Sequence, residues 1–575
     1  MSRFRSRARA LVSLPVVLCA LLLAISAGAS AETARGFVFE DLDGDGVRDD
    51  GEPGIPEVRV SNGVDIVQTA ADGAWQLEVD DAAVIFLTKP AGWATPVDGR
   101  MLPRFYHVHQ PAGSPEGLRY PGLEPTGPLP ESIDFALRRS DEPSRFSALL
   151  FADTQPQSAA EVDFIRDDVV AELIGTDARF GMTLGDIMYD DLSLLPRLLS
   201  IVAQIGIPWY NVPGNHELNL DAADDAGSLE TFKRFFGPPY YSFEVGDAVF
   251  FVLDNIFYQG GGVVTADNVR GGGGYIAKID EEQMQWLENE LRFIPPEKLL
   301  FLAMHSPLET YVSDSPGVNT ANRRELFALL EGRPNLYAVA GHTHTTEHRY
   351  FDEDDGFSGP EPFHHHVLAT VSGSWWSGPL DERGVPTTQQ RDGTPNGYHV
   401  LEVDGARATV AFRAAGFDPD HQMRIVFDVA HHRHRAAIYR DFREGELLQG
   451  RISVDEVAQA AVYVNVFDGG PRTEVTMRVS GAPAGAQGAI EMLRVDAIDP
   501  FVQEQFARHV ATRKSWVEPI ASSHLWRADL PDDLGPGTYT VSVEVVDEFG
   551  RRHHGHRVLE VAGSSATPGG TVRYP

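Results

Sequence analysis

Apolar and polar positions alternate with a period near two along the first quarter of the chain after residue 35. The runs "GFVFED" (36–41), "PEVRVSNG" (56–63), "GAWQLEV" (73–79), "AAVIFLTKP" (82–90) and "SIDFAL" (132–137) predict short strands separated by Gly, Pro and Asp turns. The polar stretch "RRSDEPSR" at 138–145 marks a domain boundary. From Ser147 the pattern changes. Apolar runs "FSALLFAD", "FGMTLGD", "IPWYNVPGN", "AVFFVLDN", "KLLFLAMHS" and "NLYAVAGHTH" alternate with stretches of helical spacing, such as "SAAEVDFIRDDVVAELIG" and "IDEEQMQWLENELR". This alternation predicts a layered α/β domain. Beyond Gly416, "QMRIVFDV", "AVYVNVFDGG", "TEVTMRVSG", "HLWRADL", "GTYTVSVEVVDEFG" and "RVLEVAG" predict sandwich strands, and "VDAIDPFVQEQFARHVATRK" (495–514) predicts a helical insertion. The expected layout is a β-sandwich over 32–139, an α/β domain over 146–416, a second β-sandwich over 417–562 and a disordered tail over 563–575.

A chain of 575 residues is too long for one hydrophobic core, which agrees with several domains. Its first 31 residues stand apart. Arg3, Arg5, Arg7 and Arg9 precede an apolar run from Leu11 to Ala27, and Ala29-Ser30-Ala31 offers a small-residue cleavage site. That order predicts a secretory signal, since the run falls short of the ~20 residues a spanning helix needs. Cys19 is the only cysteine and lies inside this run, with Leu18 where a lipidation signal would place a small residue. The exported protein is then free of thiols, with neither disulfides nor Cys-held metals. The formal charge of −35 becomes −39 without the four arginines. Such a surface repels nucleic-acid polymers and anionic membranes. A periplasmic or secreted location is expected, with no transmembrane segment after signal removal.

Five stretches at expected strand ends carry the chemistry: Asp153-Thr154-Gln155, Gly185-Asp186, Gly214-Asn215-His216-Glu217, His305 after "FLAM", and Gly341-His342-Thr343-His344. Carboxylate, amide carbonyl and imidazole together form a hard-to-borderline donor set suited to Mn²⁺, Fe or Zn²⁺. One bridging carboxylate between cations about 3.5–4 Å apart would make a two-metal hydrolytic centre.

These five blocks, in this order over about 260 residues, resemble the calcineurin-like metallophosphoesterase family, whose pattern is D-x-H, G-D, G-N-H-[DE], a His after a strand, and G-H-x-H. The small β domain before them and the sandwich after them are similar to an exported bacterial subfamily. The resemblance implies a four-layered α/β/β/α core flanked by β-sandwiches. It implies a first metal held by Asp153, Gln155, Asp186 and His344, and a second held by Asp186, Asn215, His305 and His342. His216 would sit beside the phosphate and protonate the leaving oxygen, oriented by Glu217. A metal-bound hydroxide would attack the phosphorus of an organic mono- or diester, either a small molecule or a lipid. Gln155 stands where most of the family has His. A neutral oxygen donor is weaker than imidazole for zinc, which favours Mn²⁺ or Fe²⁺ there.

"DLDGDGVRDDGE" at 41–52 satisfies a calcium-loop template. Asp41, Asp43, Asp45, the Val47 carbonyl, Asp49 and Glu52 take positions one, three, five, seven, nine and twelve, and Gly46 takes position six. Its flanks read as strands, so a calcium-stapled β domain is expected. Trp375, Trp376, Asn396 and Tyr398 follow the last metal motif and are expected to wall a substrate pocket or to pack in the core. "HHH" at 364–366 reads as a turn or surface strand, because neighbours on a strand face opposite ways. His348 and "HHRHR" at 431–435 are expected to be solvated, and "GGGGY" at 271–275 reads as a loop near the site mouth. Two rival functions remain: a nucleotide pyrophosphatase or nucleotidase, and a surface binding or adhesion protein with a structural metal core.

Overall fold

The computed structural model describes residues 32–261, 274–428, 450–483 and 488–564. The signal-like stretch, Gly271–Gly273, the run 431–435 and the tail from residue 565 lie outside those residues.

Two sheets packed face to face form the middle of the molecule. The five-stranded sheet runs Trp209–Val212, Gly181–Leu184, Arg145–Phe151, Gly397–Asp404 and Arg407–Ala414 in spatial order, its first three strands parallel. The six-stranded sheet runs Tyr241–Val245, Ala248–Val252, Leu299–Ala303, Leu336–Ala340, Phe363–Val367 and Glu347–Phe351, with its four inner strands parallel. Phe146, Phe180 and Tyr210 of the first sheet meet Phe243 and Phe250 of the second, and Tyr210 stacks on Phe243 at 3.9 Å.

Alternate residues point the other way. Leu149 and Phe151 join the core formed with helices Ala159–Ile165 and Leu195–Val202. Trp286 of helix Glu281–Leu291 packs on Phe251, and Phe327 of helix Arg323–Leu330 packs on Phe363. The result is the helix/sheet/sheet/helix layering expected. Burial on both faces explains why these strands read as continuous apolar runs.

Four-stranded sheets precede and follow this core. The first pair comprises Ala74–Val79, Glu32–Glu40, Phe135–Arg139 and Trp93–Ala94, facing Ile66–Gln68, Arg59–Ser61, Ala83–Leu87 and Tyr106–His109. Lys89 joins it to the six-stranded sheet. Its Nζ donates to Glu142 at 2.8 Å and to the Glu244 carbonyl at 2.6 Å. After the core, Met423–Asp428, Ala461–Val466, Ala521–Asp529 and Leu493–Ile498 form one sheet, and a five-stranded sheet centred on Gly537–Val546 forms the other.

Two expectations are corrected here. The helical insertion is shorter than its pattern suggested. Leu493–Ile498 pairs as a strand with Ala521–Asp529, and the helix is Pro500–Arg508, started by Pro500 and capped by Asp499. The second concerns "HHH". Phe363–Val367 is an interior strand of the six-stranded sheet, so His365 and His366 are fully buried and His364 half-buried. His348, on the neighbouring strand, is buried as well. The faces do alternate as the strand geometry requires, but packing covers both of them.

Candidate metal centre

The predicted ligands follow the C-terminal ends of five parallel strands drawn from both sheets. Asp153 follows Arg145–Phe151, Asp186 follows Gly181–Leu184, and Asn215 follows Trp209–Val212; His305 follows Leu299–Ala303, and His342 follows Leu336–Ala340. In layered α/β folds that edge is where side chains from separate strands can converge. Local backbone makes room for them. A Cβ on Gly341 would lie 2.1 Å from Asp153 Oδ2, one on Gly214 2.2 Å from the Asp186 nitrogen, and one on Gly185 2.6 Å from His305 Nδ1. Five of the ligand positions adopt left-handed φ values: Asp153 (42°), Gln155 (34°), Asp186 (48°), His342 (74°) and His344 (54°). Side chains other than glycine rarely accept this conformation, and it clusters at functional sites.

The donor atoms face one another. His305 Nε2 lies 3.1 Å from Asn215 Oδ1, 3.1 Å from His342 Nδ1 and 3.2 Å from Asp186 Oδ1. On the other side of Asp186, Gln155 Nε2 donates to its Oδ2 at 2.5 Å. His344 Nε2 sits 2.8 Å from Gln155 Oε1 and 3.6 Å from Asp153 Oδ1. Asp153 accepts the His342 backbone N–H on both oxygens, each at 3.0 Å. All seven predicted ligands are thus brought together around Asp186.

Their tautomers test whether cations fit. His344 Nδ1 donates to the Gly373 carbonyl, so a lone pair on Nε2 faces the Gln155 carbonyl oxygen. His305 Nδ1 donates to the Leu184 carbonyl at 2.8 Å, which aims Nε2 at Asn215 Oδ1, His342 Nδ1 and Asp186 Oδ1; the neutral ring would present a lone pair there to a cation. The His344 lone pair facing the Gln155 carbonyl oxygen sets acceptor against acceptor, and that pair together with the crowded Asp186, His305 and His342 atoms suits divalent cations.

Electrostatics show the same crowding. Burial pushes the Asp153 carboxyl up to about 7, and it pushes His342 and His344 down to about 3. Burial also works against the charged forms of His305 and Asp186, but their mutual attraction outweighs it. His305 rises to about 9 and Asp186 falls below the usual carboxylate range.

His216 stands beside these ligands without joining them. Its Nε2 is 3.8 Å from Asp186 Oδ2, its ring stacks on Tyr189 at 4.5 Å, and its Nδ1 is 2.7 Å from Asp190 Oδ1. This corrects the role given to Glu217. Both Glu217 oxygens accept backbone amides, from Gly214 at 2.9 Å and Met188 at 3.0 Å. Glu217 braces the two ligand loops, and Asp190 orients His216. Burial and the nearby Asp186 charge push the Glu217 carboxyl up to about 7. Asp190 was legible as the second acid of "GDIMYD", four residues after Asp186.

The expected pocket walls separate into two groups. Trp375 is half-buried and stacks on His344 at 3.8 Å, at the site. Trp376, Asn396 and Tyr398 are packed inside. Trp376 meets Phe164 and donates to the Thr154 carbonyl, Asn396 donates to Asp168 and the Val371 carbonyl, and Tyr398 packs on Phe151. Trp516, which sequence reasoning missed, completes the mouth. It is 50 % exposed, and its ring lies 6.3 Å from Tyr189 and 6.5 Å from Trp375. The segment bearing it is docked by Lys514, whose Nζ donates to Glu161 at 2.6 Å and Gln157 at 2.9 Å. Nothing in the sequence placed residue 516 beside residue 189.

In the acidic loop, carboxylate oxygens of Asp41, Asp43 and Asp45 lie within 4.8 Å of one another. The Asp41 carboxylate accepts the Gly44 and Gly46 amides, Asp45 accepts the Val47 amide, and Glu52 accepts those of Leu42 and Asp49. Crowding by Asp45 raises the Asp49 carboxyl.

Two opposed sheets whose strand ends deliver oxygen and nitrogen donors to both sides of one carboxylate define a dinuclear-type metal centre on a layered α/β scaffold. The chain belongs to the calcineurin-like phosphoesterase family. The family's model matches residues 148–346, and models of its N-terminal and C-terminal parts match residues 43–120 and 365–553. Among curated relatives, "Probable glycerophosphodiester phosphodiesterase GpdQ" of Arcobacter nitrofigilis is 25 % identical over 169 residues, 29 % of this chain and 56 % of that protein. "Uncharacterized protein YvnB" of Bacillus subtilis is 25 % identical over 236 residues, 38 % of this chain and 16 % of that protein. The matches thus span little more than half of the first relative and a small part of the second. Similar solved structures include a dimetal phosphatase from Danio rerio, with 16 % identity, TM-score 0.33, and 47 % of this chain and 96 % of that one covered. Purple acid phosphatase PPD1 from yellow lupin seeds has 15 % identity, TM-score 0.34, and coverage of 62 % and 67 %.

Proposed function

We propose that this protein is an exported, metal-dependent phosphoesterase acting on a small organic phosphate diester or monoester. The observation that carries the reading is the set of six ligand-type residues around Asp186 with His216 beside it, held by Asp190. Asp153, Gln155, Asp186 and His344 would hold one cation, and Asp186, Asn215, His305 and His342 the other. Two such cations supply water activation and charge neutralisation at phosphorus. The chain's own residues do the rest. The Asp190 carboxylate fixes the His216 ring so that Nε2 points into the site, placed to give a proton to a leaving alkoxide. Trp375 holds the His344 ring in place from behind, and Tyr189 does the same for His216. Glu217 keeps the 186–188 and 214–217 loops in register.

The name of the Arcobacter relative supports a diester, and the poor leaving groups of alkyl diesters are those that most need a protonating histidine. A nucleotide pyrophosphatase or nucleotidase is the second reading, favoured by Trp516 at the mouth, where a base could stack. Gln155 favours Mn²⁺ or Fe²⁺ at its side of the centre. Export rests on the signal-like first 31 residues, and calcium in the 41–52 loop on its donor spacing. N-terminal sequencing of the protein from a periplasmic extract and calcium titration of the purified protein check these two.

The central test is hydrolysis of p-nitrophenyl phosphate, its bis ester, glycerophosphodiesters and nucleotides with Mn²⁺, Fe²⁺ or Zn²⁺, before and after Asp186→Ala. Metal-dependent turnover lost in the variant is expected. No turnover of any of them would overturn the reading in favour of a binding or adhesion protein with a structural metal core.

A further inference from the structure

The six-stranded sheet, the five-stranded sheet and the C-terminal sandwich meet at a second cluster that shares no residue with the centre above. His348 and His366 lie directly opposite each other on neighbouring antiparallel strands. His399 comes from Gly397–Asp404 of the other core sheet, and Asp468 follows the strand Ala461–Val466 of the C-terminal sandwich. All four are buried, three of the side chains completely.

Their inner atoms converge on Asp468, which is hydrogen-bonded to His366 Nε2. Asp468 Oδ1 lies 2.9 Å from His366 Nε2, 3.5 Å from His348 Nε2 and 3.8 Å from His399 Nε2. A tetrahedron with bonds of ~2.0–2.1 Å has edges of about 3.3 Å, and these three separations scatter around that length. The outer nitrogens are already used, in the way ligating imidazoles are oriented by a second layer of partners. His366 Nδ1 meets the Tyr337 hydroxyl at 3.0 Å and His348 Nδ1 meets His364 Nε2 at 2.9 Å. By contrast, His348 Nε2, both nitrogens of His399 and Asp468 Oδ2 have no hydrogen-bond partner among the described residues. Buried polar atoms are rarely left so. The approach is also built for closeness. A Cβ on Gly470 would lie 2.7 Å from the His348 Cβ, so only glycine lets the loop after Asp468 descend onto this strand.

We propose that His348, His366 and Asp468, whose donor atoms all lie within 4.8 Å of one another, hold a further metal ion of zinc type, with His399 as the nearest additional donor, and that this ion ties the C-terminal sandwich to the catalytic core. Three of the donors stand within one another's reach, and His399, 3.8 Å from Asp468 Oδ1, is placed to close the fourth position, as in structural sites. Neutral imidazoles and a carboxylate suit Zn²⁺, with Co²⁺ as its spectroscopic substitute. The alternative is a metal-free histidine–aspartate network.

The test is reconstitution of the full chain with Zn²⁺ and with Co²⁺, followed by metal counting and visible absorption, in wild type and in His366→Gln and His348→Gln. The expected result is one Zn²⁺ per chain fewer in each variant, with loss of the intense bands of four-coordinate Co²⁺. Equal metal content and an unchanged spectrum in a soluble variant would overturn the proposal. If neither variant stays soluble, the wild type decides. A cobalt-loaded wild type without four-coordinate bands would show the network to be metal-free. Hydrolytic activity enters none of these readouts, so failure here and failure of the phosphoesterase reading are separable.

Discussion

Asp190 Oδ1 and His216 Nδ1 lie 2.7 Å apart, while Glu217, next to His216 in the chain, spends both oxygens on backbone amides. Orientation of the histidine therefore comes from the Asp186 loop and not from its own motif. His216→Ala is expected to lower kcat by about 10²–10⁴, the range of general acid–base catalysis. Asp190→Asn should cost less, roughly tenfold, because the ring remains but its tautomer and angle are no longer set. Both losses should be larger with alkyl than with p-nitrophenyl leaving groups, and metal content should stay unchanged. Equal losses across leaving groups would contradict a proton-donating role.

Gln155→His should retain metal and turnover while moving the preferred cation towards Zn²⁺, since imidazole replaces a neutral amide oxygen. Activity titrations with Mn²⁺, Fe²⁺ and Zn²⁺ alongside metal counting check this. Complete loss of metal from the variant would argue that residue 155 does not face the cation.

Trp516→Ala removes the half-exposed ring at the mouth. If substrates stack there, KM should rise for those with an aromatic group, with kcat nearly constant. Stacking of this kind contributes about 1–3 kcal/mol, hence about 5- to 150-fold in KM. Identical KM values for aromatic and aliphatic esters in wild type and variant would remove Trp516 from substrate binding.

Lys89 is nearly enclosed and pairs with Glu142, which also accepts the Gly92 and Gly246 amides. Lys89→Met leaves that carboxylate buried without its cation. Breaking one partner of such a pair costs about 3–5 kcal/mol, and chemical denaturation of the full chain should show it. Adding Glu142→Gln should recover part of the loss.

Much of this centre was legible because its residues come in short blocks at strand ends, where apolar runs stop and glycine precedes the ligand. Gly185-Asp186 and Gly341-His342 announce themselves in this way. Most interior strands were equally clear, since burial on both faces leaves them almost wholly apolar; Phe363–Val367, with its three histidines, is the exception. What failed depended on distance in sequence. Asn396 and Tyr398 read equally as pocket walls or as core, and the contacts with Asp168 and Phe151 that place them in the core are encoded by no local pattern. His348 and the triple histidine looked solvated because imidazole is polar, yet they lie between layers. Trp516 reaches the site through a chain segment more than 300 residues beyond Asp186 and Asp190, and only the docking of Lys514 on Glu161 reveals it.

The left-handed backbone at Asp153, Gln155, Asp186, His342 and His344 carries a consequence of its own. Each such position costs about 1–3 kcal/mol, so the five together rival the net stability of an ordinary domain, about 5–15 kcal/mol. The ligand cage is thus a loaded spring, held in shape by the tightly packed sheets behind it. Cations that bind there would relieve the repulsion among the donors and act as a clasp on the fold, raising the melting temperature as they switch on the chemistry. Transplanting only the seven side chains to another scaffold would leave that spring behind.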